Sequence, residues 1–170
     1  MAETLTLPGF VNAHSHAFQR ALRGRTEGRD FWEWRSSMLS LAEGLSPEQV
    51  RLGYVQVYRE LVAAGYTAVG EFHYLGLPEA HAAVEAAAEA GIELVLLLAA
   101  YGRGGLERFR QESPADYLSQ LEDVLHAGLA DDRDHRLWLI RRERPQTRAL
   151  AAGHHDCLHV TLTSLRAFRR

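Results

Sequence analysis

The sequence contains no lysine: all 19 of its basic residues are arginine. Alanine, glycine and leucine abound as well, the bias of a GC-rich coding sequence, so arginine preference says little about ligands here. A single cysteine, Cys157, excludes an internal disulfide. A basic surplus is also missing, since 19 basic residues face 22 acidic ones for a net charge of −3 with histidine neutral. That balance gives no electrostatic drive toward phosphate backbones, so a nucleic-acid partner is not expected. No charged-then-apolar leader opens the chain. The longest strongly apolar run, Ile92 to Ala100, is interrupted by Glu93 and falls far short of the roughly 20 residues that span a bilayer. A cytoplasmic protein with no membrane partner is the expectation.

What is present is the composition of a folded α/β domain: 170 residues, 46% hydrophobic and 24% charged. The charge is unevenly spread. Residues 1–130 hold 10 arginines against 17 acids, whereas residues 131–170 hold 9 arginines against 5 acids. The later stretch shows little sustained helical or strand period, and no packed element is expected in it. Three accounts of this basic tail are open: a solvated surface, a tail for acidic partners, or the product of a frameshift, which in a GC-rich gene yields Arg, His, Pro and Leu without apolar period. The expected organisation is therefore a domain over 1–130 followed by a tail of doubtful structure over 131–170.

Within the first part, Thr4 to Val11 alternate and run through Pro8-Gly9 into a short strand ending at His14. Ser46-Pro47-Glu48-Gln49 is a helix start with an N-cap and a capping-box glutamine, and a helix from Pro47 to about Ala64 follows. Its Val50, Tyr54, Val57, Leu61 and Ala64 form one apolar stripe for a sheet, and Gly65 ends it. Tyr66 to Phe72 reads as a second strand running into His73 and Tyr74. Pro78 to Ala90 is an alanine-rich helix closed by Gly91, and Ile92 to Ala99 is a strand expected to be buried on both faces. A further helix begins at Ser113-Pro114 and reaches about Ala127. Alternating strands and helices at this spacing predict a parallel α/β sheet or barrel, with chemistry at the carboxyl ends of the strands.

His14, His16, His73 and Tyr74 all fall at such ends. On an extended strand His14 and His16 point to the same side and can converge on one metal ion, although spacing alone leaves surface or hydrogen-bonded core histidines open. His73 reads as a supporting or loop histidine and Tyr74 as either a site residue or a turn residue with a wet hydroxyl. Glu71, at a strand end, pairs only with a nearby arginine in one reading. Arg35, after two tryptophans, stacks on an exposed aromatic face in one reading. His81 and His126 lie in predicted helices as surface residues. Gly102 to Gly105 lacks the lysine and serine of a phosphate loop and is expected to line a mouth. The run His154-His155-Asp156-Cys157-Leu158-His159 matches no justified zinc spacing.

Leu7-Pro8-Gly9-Phe10-Val11-Asn12-Ala13-His14-Ser15-His16-Ala17-Phe18-Gln19-Arg20 resembles the first-strand motif of the metal-dependent amidohydrolase superfamily. Together with Phe31-Trp32-Glu33-Trp34-Arg35, Gly70-Glu71-Phe72-His73-Tyr74, Gly102-Arg103-Gly104-Gly105 and Arg108-Phe109, it is similar in particular to the formimidoylglutamate deiminases of bacterial histidine breakdown. The resemblance runs from about Leu7 to about Leu125. It implies a (β/α)₈ barrel whose divalent metal, most often zinc, activates a water for attack on the formimino carbon of N-formimidoyl-L-glutamate, giving N-formyl-L-glutamate and ammonia. By motif, His14 and His16 are the implied metal ligands and Gln19, Arg35 and Tyr74 the implied substrate contacts. An arginine fork suits a carboxylate, and a glutamine offers both a donor and an acceptor.

The resemblance also implies histidines from later strands, a catalytic glutamate and a late aspartate, none of which has a motif match, so no catalytic residue is identifiable in the chain. A (β/α)₈ barrel takes roughly 250 residues, and this sequence supplies about the first three of its units. The expected fold class is therefore α/β, an incomplete amidohydrolase-type barrel, with a small-molecule substrate and, were the barrel complete, a homodimer. Three functions follow: a deiminase segment inactive by itself, a related deaminase with a heterocyclic substrate, or a non-catalytic α/β binding fragment.

Overall fold

The computed structural model describes residues 7–130 and 137–139. Strand β1 (Phe10–Ser15) leads through a 3₁₀ turn (Ala17–Leu22) into helices α1 (Phe31–Gly44) and α2 (Pro47–Ala63). Then follow β2 (Tyr66–His73), α3 (Leu77–Ala90), β3 (Glu93–Leu98), a 3₁₀ turn (Glu107–Phe109), α4 (Pro114–Ala130) and β4 (Leu137–Leu139). The strands lie side by side in the order β1-β2-β3-β4, and each pairs parallel to the next. Every connection between neighbouring strands carries a helix, the unit from which (β/α) barrels are built.

Local chemistry accounts for the elements. Both halves of the expected capping box are made at α2, where the Ser46 hydroxyl accepts from the Gln49 N–H and the Gln49 side chain accepts from the Ser46 N–H. Gly65, with φ of 88°, lets the chain leave α2 for β2. Helix α1 is an element that the sequence reading did not anticipate. Its signal was present as Asp30-Phe31-Trp32-Glu33, a second capping box in which Asp30 and Glu33 satisfy each other's backbone N–H groups.

The buried face of α2 also differs from the expected stripe. Val50 and Tyr54 are buried as expected, joined by Val55 and Tyr58, whereas Val57 and Leu61 are only partly buried and Ala64 is exposed. The helix is turned so that two tyrosines meet β2. Strand β3 was expected to be covered on both faces, and instead alternates: Leu94, Leu96 and Leu98 are buried, while Val95 and Leu97 are half-buried. Its buried face packs on the helical layer, and its other face lines the barrel side, which the four strands among the described residues do not enclose. Finally, β4 lies in the stretch where no packed element was expected. Three residues are too few for an apolar period to register, and the pairing of Leu94, Val95 and Leu96 with Leu137, Trp138 and Leu139 defines the strand instead.

One arginine fastens three segments around the upper rim. The Arg108 guanidinium donates to the carbonyls of Ala42 (2.8 Å) and Leu45 (3.1 Å) at the end of α1, and to that of Leu75 (3.3 Å) after β2. It also binds the carboxylate of Glu79, a buried residue in the first turn of α3. Helix ends leave carbonyls without intrahelical partners, and a five-donor planar cation meets several of them at once. Removing it leaves the Glu79 charge buried and alone. Arg108→Met is therefore expected to cost about 3–5 kcal/mol in urea unfolding. The double variant Arg108→Met/Glu79→Met should recover part of that loss, and equal midpoints for the single variant and the parent chain would contradict this account.

Candidate metal and substrate site at the strand ends

The parity of β2 assigns its side chains to two layers. Val69, Glu71 and His73 are buried against the helices, with Tyr54 hydrogen-bonded to His73. Phe72 and Tyr74 turn to the other face, where the Phe72 ring lies 4.3 Å from that of His14 and 5.8 Å from that of His16.

The histidine pair sits on an irregular strand end. Asn12 is opposite Val69 and Ser15 opposite Glu71, so β1 spends one more residue than β2 in this interval, which is a bulge. Gly70 makes the bulge possible. A Cβ there would stand 2.8 Å from the Ala13 carbonyl oxygen and 3.1 Å from its carbon, both backbone atoms. The rings of His14 and His16 end up 4.8 Å apart, edge to face.

The two imidazoles differ in setting. His14 is exposed, and its ring nitrogens have no partner among the described residues. His16 is half-buried, with Nδ1 3.0 Å from the Phe72 carbonyl oxygen. A carbonyl only accepts, so Nδ1 carries the proton and the Nε2 lone pair is left free. Burial holds the His16 pKa below its ordinary value, opposed by the Phe72 carbonyl and aided by His14 nearby. The ring is thus kept in the neutral tautomer that a metal requires, with the orienting bond on the opposite nitrogen. Such a donor pair fits a zinc-type ion, whose protein sites use imidazole nitrogen. Among the described residues no group of three or more His, Cys, Asp or Glu side chains gathers to complete the set.

Beside the pair stand two of the three expected substrate contacts. Gln19 Nε2 donates to the Tyr74 hydroxyl at 2.9 Å, and the Tyr74 ring meets His16 edge-on at 5.4 Å. Tyr74 is not the wet turn residue of the alternative reading. Its ring packs among Phe18, Tyr101 and Phe109, and burial pushes its pKa up to about 12, so it serves as a neutral hydroxyl. The hydroxyl also reaches Met38 Sδ at 3.9 Å. Arg35 lies one helical turn before Met38 on α1, half-buried, and makes neither an ion pair nor a ring contact among the described residues. Among the described residues no aromatic ring stacks on it and no group accepts from its guanidinium.

His73 is engaged on both nitrogens, with Nε2 2.8 Å from the Gly76 carbonyl and Nδ1 3.3 Å from the Tyr54 hydroxyl. Burial drives its pKa down to about 4, so it is a neutral structural residue with no lone pair to spare. Among the described residues no arginine pairs with Glu71, against that reading of it. Glu71 is 0% exposed and its Oε1 accepts from the Ala17 N–H at 2.8 Å, while Oε2 and the Tyr58 hydroxyl are buried without a hydrogen-bond partner. Burial raises its pKa to about 7, opposed by the Ser15 hydroxyl, the Ala17 N–H and the Tyr58 hydroxyl, of which only Ala17 makes a well-formed hydrogen bond to it. Sequence reasoning missed Gly70 and Glu71 as parts of the site, though a glycine and an acid inside an apolar strand are the usual signals of close approach and of a buried polar contact. His81 is half-buried and His126 exposed, both away from these groups on α3 and α4. The residues His154 to His159 lie outside the described part.

A parallel sheet whose strands are joined through helices, with imidazoles gathered at the end of its first strand, has the construction of a segment of a (β/α) barrel. The sequence profile of the amidohydrolase family matches residues 5–149, and the chain belongs to that family. It is 40% identical to the formimidoylglutamate deiminase of Pseudomonas aeruginosa over 88% of its own length and 39% of that protein's. It is 32% identical to 5-methylthioadenosine/S-adenosylhomocysteine deaminase 2 of Archaeoglobus fulgidus over 65% of the chain and 26% of that protein. The chain thus spans well under half of the curated relatives it matches. Among solved structures, a mutant atrazine chlorohydrolase of Arthrobacter aurescens, complexed with zinc and atraton, superposes with a TM-score of 0.60 at 24% identity. That match covers 74% of this chain and 31% of the other. An adenosine deaminase of Xanthomonas campestris with bound zinc gives the same TM-score of 0.60 at 21% identity, over 78% of this chain and 29% of its own. These likenesses show the fold, an incomplete amidohydrolase-type barrel.

Gly70→Ala places a methyl group against the Ala13 carbonyl and should cost about 1–3 kcal/mol, as overpacking does, measured as a lowered denaturant midpoint. An unchanged midpoint would show that β1 can simply move away. The buried acid and the buried base make opposing demands on pH. Glu71 binds its proton more tightly folded than unfolded, so its contribution to stability falls as pH rises from about 4.5 to about 7. His73 binds its proton less tightly folded, so its contribution rises with pH from about 4 to about 6.5. Glu71→Gln removes the first slope alone. Its unfolding free energy should therefore climb more steeply between pH 4.5 and 6.5 than that of the parent chain, and parallel profiles would refute the assignment.

Proposed function

We propose that the chain carries the metal-entry and substrate-orienting part of a formimidoylglutamate deiminase, with His14 and His16 as two ligands of a divalent metal, zinc by preference. The observation that carries the reading is the contact of two pairs: His14 with His16, and Gln19 with Tyr74, joined by the edge-on packing of Tyr74 on His16. The 40% identity to the Pseudomonas deiminase and the zinc named in two structural neighbours support it. When bound, such a metal supplies Lewis acidity for hydrolysis of a C–N bond. The protein's own groups do the rest of the work. Phe72 backbone holds His16 in the donor tautomer. The Gln19–Tyr74 pair presents a carbonyl oxygen and a hydroxyl to a polar amidine, and Arg35 is free to meet a glutamate carboxylate with two parallel hydrogen bonds.

A second reading takes a heterocycle in place of formimidoylglutamate. It is favoured by the relatives named as 5-methylthioadenosine/S-adenosylhomocysteine deaminases and by the half-buried rings of Tyr74 and Tyr101, backed by the buried Phe109, against which a purine would stack.

Calorimetry on the zinc-loaded full chain separates the readings. The deiminase reading expects N-formimidoyl-L-glutamate to bind and 5′-methylthioadenosine not to, with Arg35→Ala and Gln19→Ala each weakening binding about 10-fold, the loss of one charged or polar contact of 1–2 kcal/mol. The reverse preference would replace it with the heterocycle. With two ligands from this chain, zinc itself should bind weakly and be lost in both His14→Ala and His16→Ala.

A further inference from the structure

Two backbone positions flank the histidine pair, Ala13 before His14 and Ala17 after His16, and β2 touches both. Gly70 meets Ala13 by steric closeness, as described above. Its neighbour Glu71 meets Ala17 by a hydrogen bond of 2.8 Å between Oε1 and the backbone N–H. This N–H belongs to the first residue of the 3₁₀ turn, where the backbone has no partner inside the turn. His16, immediately before it, acts as N-cap with φ of −132° and ψ of 72°, neither strand nor helix, and its own side chain makes no capping bond. The conformation of the second imidazole's backbone is therefore held from outside, by a carboxylate on the opposite layer of the sheet. Ser15, between the two histidines, is buried on the same side as Glu71 and is its register partner.

We propose that Glu71 is the positioning residue for the histidine pair: by accepting the Ala17 N–H it fixes the turn that brings His16 beside His14 and seats His16 Nδ1 on the Phe72 carbonyl. It touches neither imidazole and acts through the backbone alone. The proposal rests on the metal reading above only for its consequence in binding, since the position of His16 is a property of the metal-free chain. Reach is what the function needs. Glutamine at this position keeps an oxygen in place for Ala17, and its amide can donate to the Tyr58 hydroxyl that is now unpartnered. Aspartate keeps the carboxyl group but is one methylene too short. Methionine fills the space and accepts poorly.

The test uses the full chain and four proteins: parent, Glu71→Gln, Glu71→Asp and Glu71→Met. Two readouts are taken. In metal-free protein, long-range nitrogen–proton spectra report which ring nitrogen of His16 is protonated. Cobalt(II) titration, followed by its visible absorption, reports affinity and coordination. The expected result is a parent-like His16 tautomer and cobalt affinity in Glu71→Gln, with a mixed tautomer and a 10- to 100-fold weaker affinity in Glu71→Asp and Glu71→Met, the usual loss when a ligand's support is removed. Far-ultraviolet circular dichroism checks the fold, and if Glu71→Met does not fold, the order of Gln above Asp still decides. A parent-like tautomer and affinity in Glu71→Asp would overturn the proposal while leaving the metal reading intact. A tautomer that follows residue 71 in a chain that never binds cobalt would uphold the positioning role and remove the metal reading.

Discussion

Because Gly70 presents only hydrogen to the Ala13 carbonyl, the backbones of β1 and β2 can close on each other where β1 carries its extra residue. That approach decides the rest of the site. It puts His14 over the Phe72 ring, sends Ser15 down toward the helices, and delivers Ala17 to the Glu71 carboxylate. The spacing of two residues between the histidines would give parallel side chains on any strand. Their edge-to-face arrangement, with one ring anchored to a carbonyl, comes from the bulge and the turn after it.

The sheet separates two kinds of polar chemistry. On the open face stand groups without a hydrogen-bond partner among the described residues: the ring nitrogens of His14 and the Nε2 of His16. On the helical face stand groups occupied with one another or with backbone: Tyr54 with His73, His73 with Gly76, Glu71 with Ala17. Burial has opposite effects on the acid and the base there, pushing the Glu71 pKa to about 7 and the His73 pKa to about 4. Both shifts favour neutral groups, and so the layer beneath the site adds hydrogen bonds with little net charge at neutral pH and below.

Much of this was legible in the residues. The Ser46 and Gln49 capping box, Gly65 and Gly91 marked the helices and strands that carry β2 and β3, and the ordered motifs placed His14, His16, Gln19 and Tyr74 at strand ends. What escaped was set by tertiary contacts. On α2, Val55 and Tyr58 share the buried face with Val50 and Tyr54, while Val57 and Leu61 of the apolar stripe stay partly buried. Helix α1 escaped although Asp30 and Glu33 announced it, since the aromatic cluster after Asp30 drew attention to stacking rather than to helix. The alternation in burial along β3 could not be read at all, because both faces of that strand are written in leucine and valine and only the absence of opposing strands distinguishes them. Glu71 was misassigned for a related reason: a sequence shows an acid and many arginines, but not that the nearest donor is a backbone amide 54 residues away.

The guanidinium of Arg108 reaches carbonyls 63 and 66 residues earlier in the chain, at Leu45 and Ala42. On the ribosome, the end of α1 is made long before that cation exists. Until residue 108 leaves the exit tunnel those carbonyls must remain hydrated and the first turn of α3 must carry the uncompensated acid of Glu79 near the surface. That rim is therefore closed by its most distal participant in translation order, and a nascent chain interrupted before Arg108 would hold the strand motif without the clasp that joins the end of α1 to α3.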